Sequence, residues 1–411
     1  WSLGANDASN VFGTAVGSRM IRFRTAAIYC SIFVILGAVI SGAGASHTLG
    51  KLGSVNAIAG AFIVAFSAAL SVYLMTIARF PVSTSQAIVG AIIGWNFFSD
   101  SITDMGALTK IVSTWVLCPI LSGFFAIAIY LATSFVINRS HLHMFKLDSI
   151  TRYSLFFAGI FGSCALGANN IANVMGVFVP VAPFDSLHLF VLTLSPAQQL
   201  FFLGGVAIGI GVFTYSKRVR MTVGTGIFNL TPVAATVVVW SHSLVLFLIS
   251  SQSLEVWLQT HSLPTLPLFP VSSSQAIVGA VIGIGILKGG KGIKWKTVAG
   301  ITSGWVTTPI IAAVVCFVSL FFMQNVFQQQ TFKPVEYSIT KGAMDKIIEA
   351  GIPHVKLQQL MWETYSSGRD FSRAIRNHTD LGKAEIAKLL TIAELFEVEI
   401  SNSSLNKFNS K

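Results

Sequence analysis

The sequence predicts an all-α polytopic membrane protein made of two inverted repeats, each with a broken GAN-motif helix and a re-entrant helical hairpin. Three observations predict it. First, the 411 residues are 53% hydrophobic and only 10% charged, where a soluble chain carries roughly 25% charge. Second, Phe-Pro-Val-Ser-Thr-Ser-Gln-Ala-Ile-Val-Gly-Ala at 80–91 returns at 269–280 with Thr84 replaced by Ser273 and nothing else changed. Third, basic residues cluster beside apolar runs rather than spreading along the chain.

The duplication extends beyond one block. Gly4-Ala5-Asn6-Asp7-Ala8-Ser9-Asn10 answers to Gly167-Ala168-Asn169-Asn170-Ile171-Ala172-Asn173, and Trp115 with Pro119 answers to Trp305 with Pro309. Three pairs in the same order are the signature of an internal repeat. Repeated transporter folds place substrate where the repeats meet. The expected organisation is repeat 1 over 1–137, a cytoplasmic inter-repeat loop over 138–152, repeat 2 over 153–325 and a charged helical tail over 333–411.

Apolar segments fall roughly at 4–17, 24–46, 52–98, 106–137, 152–180, 197–215, 226–287 and 297–324. The third and seventh are too long for one span. Each holds a Phe-Pro-Val-Ser-x-Ser block. Pro81 and Pro270 interrupt a helix, and the serines that follow suit N-caps of a returning limb. Residues 58–98 and 232–287 therefore read as hairpins that enter and leave by one face. Irregular backbone at that depth needs protein or a wet cavity around it.

Hairpins that do not cross leave three crossings per repeat, so the second repeat is inverted. Sorting the charges tests this. One side collects Arg19, Arg22, Arg24, Arg139, Lys146, Arg152, Lys217, Arg218, Arg220, Lys288, Lys291, Lys294 and Lys296; the other has Lys51 and Lys110, with Asp100, Asp104 and Asp185. That bias puts the basic side in the cytoplasm. It also accounts for the net charge of +11 without a nucleic-acid partner. The tail is expected outside, with helices over 341–350, 353–376 and 381–400. The chain opens at Trp1, directly before the GAND block, and half a helix is expected to precede it in the natural protein.

Cys30, Cys118, Cys164 and Cys316 lie in apolar runs without metal-ligand spacing. Neither a metal site at His141 and His143 nor a Rossmann fingerprint at Gly204, Gly205, Gly209 and Gly211 is indicated. No catalytic constellation appears, so an enzyme is not expected. Arg79, before the first serine block, reads as a snorkelling or structurally paired residue.

The chemistry concentrates at the hairpin tips and GAN blocks. Helix N-termini offer free N–H groups and the positive dipole end to an anion. Ser83, Thr84, Ser85, Ser272, Ser273 and Ser274 add hydroxyl donors. Asn6, Asn169, Gln86 and Gln275 offer amide donors to an anion and carbonyl oxygens to a cation such as Na⁺. Asp7 is the one carboxylate expected within the membrane, where an acid marks function. It can neutralise a cation, accept a proton or bond a protonated phosphate.

These motifs resemble the inorganic phosphate transporter (PiT) family of cation-coupled phosphate symporters. The resemblance rests on GANDASN at 4–10, GTAVGS at 13–18, the two FPVS blocks, and GANNIAN at 167–173; it leaves the tail from 333 uncovered. It implies phosphate held by Asp7 with Asn169, Asn170 and the tip residues Ser83, Thr84, Ser85, Ser272, Ser273 and Ser274. It implies cations held by Asn6, Asp7, Gln86, Asn169 and Gln275, with Na⁺ favoured, H⁺ the alternative and no other cofactor. The family commonly has Asp where this chain has Asn170, which leaves the coupling ion open. The expected partners are phosphate, the lipid bilayer of the plasma membrane and a second copy in a homodimer. Rival readings are a sulfate permease of the same fold, an ion channel, and a phosphate-sensing receptor.

Overall fold

The computed structural model describes residues 1–18, 20–50, 52–53, 55–77, 82–101, 103–140, 143–189, 192–214, 227–228, 230–263, 268, 270–334, 336–365, 367–379 and 381–395. Arg19, Lys51, Arg79, Phe80, Pro81, His141, Lys217, Arg218, Arg220 and Phe269 lie outside these. So do the expected helical residues 396–400.

The first repeat runs α1 (Ser2–Gly17), α2 (Phe23–Ser41), α3 (Ala43–Gly50), α4 (Ile58–Ile77), α5 (Thr84–Phe98) and α6 (Met105–Ser140). The second runs α7 (Met144–Met175), a 3₁₀ turn (Gly176–Val181), a hairpin of β1 (Leu187–Leu189) and β2 (Leu192–Leu194), and α8 (Pro196–Thr214). It continues with α9 (Pro232–Ser250), α10 (Gln252–Thr260), α11 (Ser273–Leu287) and α12 (Trp295–Asn325). Seven of the described helical stretches are long and apolar enough to cross a membrane. They are α2, α4, α6, α7 with its 3₁₀ turn, α8, α9 and α12.

The inbound limbs α4 and α9 belong to that set, but the 15-residue return limbs α5 and α11 do not. At 1.5 Å per residue a return limb is about 22 Å long, short of a ~30 Å hydrocarbon core. Within each pair the limbs pack on one another. Capping accounts for the starts: Ser83 Oγ accepts from Gln86 N at 3.3 Å and Ser272 Oγ from Gln275 N at 3.2 Å. Thr231 caps α9, with Pro232 at its first position.

Helix faces follow surroundings. α6 buries Ala107, Ile111, Thr114, Cys118, Ser122 and Ala126, while Val116, Ile120, Phe124 and Phe135 are exposed. α12 repeats this with Ile301, Gly304, Thr308, Ala312 and Cys316 inside and Val306, Ile310 and Val314 outside. The narrow small-residue stripe touches protein and the apolar face suits lipid. α1 is buried nearly all round.

The repeats interlock. α5 of the first packs on α12 of the second, and α11 of the second packs on α6 of the first. The contacts match position for position. A Cβ at Gly90 would lie 2.6 Å from Pro309 Cα, and one at Gly279 would lie 2.5 Å from Pro119 Cα. Only glycine permits that backbone approach. Residues 1–98 and 103–332 consequently make one body, not one per repeat.

Two expectations change. The GAN blocks lie inside unbroken helix, and the irregularity follows them. α1 ends at Gly17, and α7 tightens into the 3₁₀ turn Gly176–Val181. Asn side chains bonding one another and the tips, rather than the backbone of their own helix, leave the helical ladder intact. Of the loop expected over 138–152, residues 138–140 belong to α6 and 144–152 to α7, because both helices extend past their apolar stretches; charge there ends the lipid-facing segment without ending the helix. Between α9 and α11 the second repeat carries an extra segment that includes α10, capped by Ser251 and without a buried residue.

The second body, residues 99–102 with 333–411, is not purely helical. It holds an antiparallel sheet ordered β4 (Thr364–Tyr365), β3 (Glu336–Ser338), β5 (Glu394–Leu395). Its helices are α13 (Lys341–Glu349), α14 (Gly368–His378) and α15 (Lys383–Ala393). The helix expected over 353–376 is a 3₁₀ turn, Val355–Leu360, then β4, then α14. Glycine at Gly368 and the Ser367 cap start α14 late. Its core includes Ile339, Ile347, Leu357, Leu360, Phe371, Ile375 and Leu389.

Candidate functional site

Every candidate residue named from the sequence is buried, and Thr84, at 8% exposure, is the most open of them. The two GAN blocks and the two hairpin tips meet around Asp7.

Asp7 accepts four hydrogen bonds. Its Oδ1 receives Asn6 Nδ2 at 2.9 Å and Asn10 Nδ2 at 3.3 Å. Its Oδ2 receives Thr84 Oγ1 at 2.9 Å and Asn170 Nδ2 at 3.2 Å. One carboxylate thus joins its own helix, the first tip and the second GAN block. A buried charge persists only with such donors around it.

The second repeat copies the frame. Asn6 Nδ2 donates to Val82 O at 2.9 Å; its partner Asn169 donates to Val271 O at 2.7 Å and to Asn170 Oδ1 at 2.5 Å. Asn169 Oδ1 accepts from Val271 N at 3.0 Å. Each GAN asparagine therefore pins the backbone just before its own serine tip, which is the physical reason that motif and tip occur together.

Bonds also cross between repeats. Asn10 Nδ2 donates to Ser273 Oγ at 3.1 Å and Asn173 Nδ2 to Ser85 Oγ at 2.8 Å. Ser85 Oγ donates to Val271 O at 3.0 Å, tying the first tip to the second. Ser272 and Ser274 hydroxyls share a bond of 3.0 Å. Gln86 Oε1, Gln275 Oε1 and Asn173 Oδ1 have no partner among the described residues. Buried carbonyl oxygens are normally satisfied, and hard cations take such oxygens.

The sequence reading missed three members. Asn10 and Asn173 lie four residues after Asn6 and Asn169, so helical spacing places them on the same face. His242 on α9 places Nε2 2.9 Å from Ser273 Oγ; a single histidine in an apolar run gives no such signal.

The family model described as "Phosphate transporter family" matches residues 3–263 and 256–380. This chain belongs to the phosphate transporter family. The match reaches 380, well into the segment that the motif resemblance leaves uncovered.

A Methanocaldococcus jannaschii protein, provisionally named a phosphate permease, is 28% identical over 316 residues, covering 77% of this chain and 91% of its own. The mouse sodium-dependent phosphate transporter 1 is 30% identical over 200 residues, 46% of this chain and 28% of its own. A solved structure titled "The sodium-dependent phosphate transporter" aligns with TM-score 0.61 at 23% identity, over 78% of this chain and 96% of that one. It shares the fold. This family member is a multi-pass membrane transporter of phosphate and not an enzyme.

Proposed function

We propose that the chain is a secondary symporter that imports inorganic phosphate with a cation, Na⁺ in preference to H⁺, by alternating access. The observation that carries this is the Asp7 carboxylate, which takes donors from both repeats, together with buried carbonyl oxygens of the tips and the second GAN block that have no partner among the described residues. The donors suit an oxyanion and the carbonyls suit Na⁺. Phosphate at neutral pH can keep a proton and donate it to Asp7, whereas sulfate cannot; this favours phosphate. Names of relatives that include sodium dependence support the choice of ion.

The phosphate-binding set is Asp7, Ser83, Thr84, Ser85, Asn169, Asn170, Ser272, Ser273 and Ser274. The cation set is Asn6, Asp7, Gln86, Asn169 and Gln275. Ser83 and Ser272 keep a hydroxyl proton while capping. Since all these groups are buried, entry and exit require the tips or their flanking helices to move. The reciprocal α5–α12 and α11–α6 contacts supply two equivalent gates, as inverted repeats do. The basic loops face the cytoplasm and the membrane is the plasma membrane.

The test is labelled-phosphate uptake into proteoliposomes under a Na⁺ gradient or a H⁺ gradient, with sulfate as competitor. Accumulation driven by Na⁺ and indifferent to sulfate is expected. Accumulation under neither gradient, or uptake abolished by equimolar sulfate, overturns the proposal.

A further inference from the structure

His242 is fully buried on α9, in the inbound limb of the second hairpin. Its Nε2 lies 2.9 Å from Ser273 Oγ, and its Nδ1 has no partner among the described residues. Ser273 Oγ is also 3.1 Å from Asn10 Nδ2, which donates to it and to Asp7. A hydroxyl has one proton and two lone pairs. This makes the direction of the His242 bond decisive. If Nε2 is bare, Ser273 gives it its proton and has nothing for an anion. If Nε2 carries hydrogen, it and Asn10 fill both lone pairs, and the Ser273 proton is free to point elsewhere.

We propose that His242 is a positioning residue for phosphate: by donating from Nε2 to Ser273, it turns the Ser273 hydroxyl into a donor toward the bound anion. This rests on the reading above that Ser273 meets phosphate. The Nε2–H form is one of the two neutral tautomers of the imidazole, so the donating arrangement needs no charge on the ring. The bond at Nε2 is the only one His242 makes among the described residues, so no second partner holds it in the other tautomer.

The elements packed against α9 are α1, α6, α7 and α11. Titratable groups they bring toward this tip are few. Asp7 of α1 is joined to Ser273 through Asn10. Cys118 of α6 reaches Ser272 O at 3.8 Å. Cys164 of α7 has its backbone carbonyl against Gly37 of α2. α11 has none before its C-terminal Lys288.

The experiment is equilibrium binding of ³²P-phosphate to the purified full chain at neutral pH, for wild type, His242→Gln, His242→Asn and His242→Leu. A glutamine amide nitrogen can occupy the Nε2 place and always donates; asparagine is too short and leucine donates nothing. His242→Gln should bind within about threefold of wild type, while His242→Asn and His242→Leu weaken binding about tenfold or more. If wild type binds phosphate but His242→Leu or His242→Asn matches it, or glutamine is no better than asparagine, the positioning role is overturned. If wild type binds no phosphate, the reading of the site itself fails instead. Should leucine prevent folding, the Gln–Asn pair still decides.

Discussion

Replacing Asp7 by asparagine removes the only carboxylate in the site and makes the two GAN blocks alike. The geometry sets the cost. An amide keeps one carbonyl, so it can hold two of the four donors around Asp7. With its oxygen at the Oδ1 place it keeps Asn6 and Asn10 and presents NH₂ to Thr84 and Asn170. The Thr84 hydroxyl can rotate and accept. Asn170 cannot reverse cheaply, because its Oδ1 already receives Asn169 and Asn173. One bond is lost, worth about 1–3 kcal/mol, within reach of a stable membrane protein. A cation faces a larger loss, since removing the partner of a buried charge costs about 3–5 kcal/mol. That is a factor of about 10²–10³·⁵ in cation affinity. Asp7→Asn should thus express normally, lose Na⁺-driven phosphate accumulation in vesicles, and retain some phosphate–phosphate exchange. Asn170→Asp should keep accumulation and alter its ion dependence. Full gradient-driven accumulation by Asp7→Asn would refute the assignment of coupling to this carboxylate.

Other consequences are direct. Gly90→Ala and Gly279→Ala each force a helix back by about 1 Å to restore carbon contact; each should cost about 3 kcal/mol, read as a lower melting temperature in detergent. Gly304→Ala, whose nearest neighbour would be Val82 at 3.7 Å, should melt like wild type, and equal melting of all three would disprove the close exchange of repeats. Thr84→Ala and Ser273→Ala should each weaken phosphate binding by roughly 1.5–3 kcal/mol; unchanged binding in either makes that hydroxyl structural. A cysteine at Ser140 should resist an impermeant thiol reagent in intact cells and one at Ser101 should react. Labelling of both from the same face is incompatible with the inverted arrangement.

Much of the fold was legible because it is written in short-range rules. Apolar length marks the spans, and a serine after each proline marks where the return limbs begin. Tip and GAN residues were legible because duplication repeats them, and Asp7 because a lone acid in an apolar chain has no bland role. What was not legible depends on partners distant in sequence. Nothing local says that Asn6 and Asn169 bond backbone 76 and 102 residues away, so breaks were expected where helices continue. The sheet in the tail is made of strands two or three residues long, below the length at which alternation shows. His242 is the sharpest case. Its role follows from a serine 31 residues later across the extra segment that contains α10, and that segment separates limb from tip only in the second repeat. The duplicated positions Thr84 and Ser273 therefore do different work: Thr84 donates to Asp7, while Ser273 stands between Asn10 and His242. Sequence symmetry supplied the site, and the departure from symmetry assigns each half its own part in it.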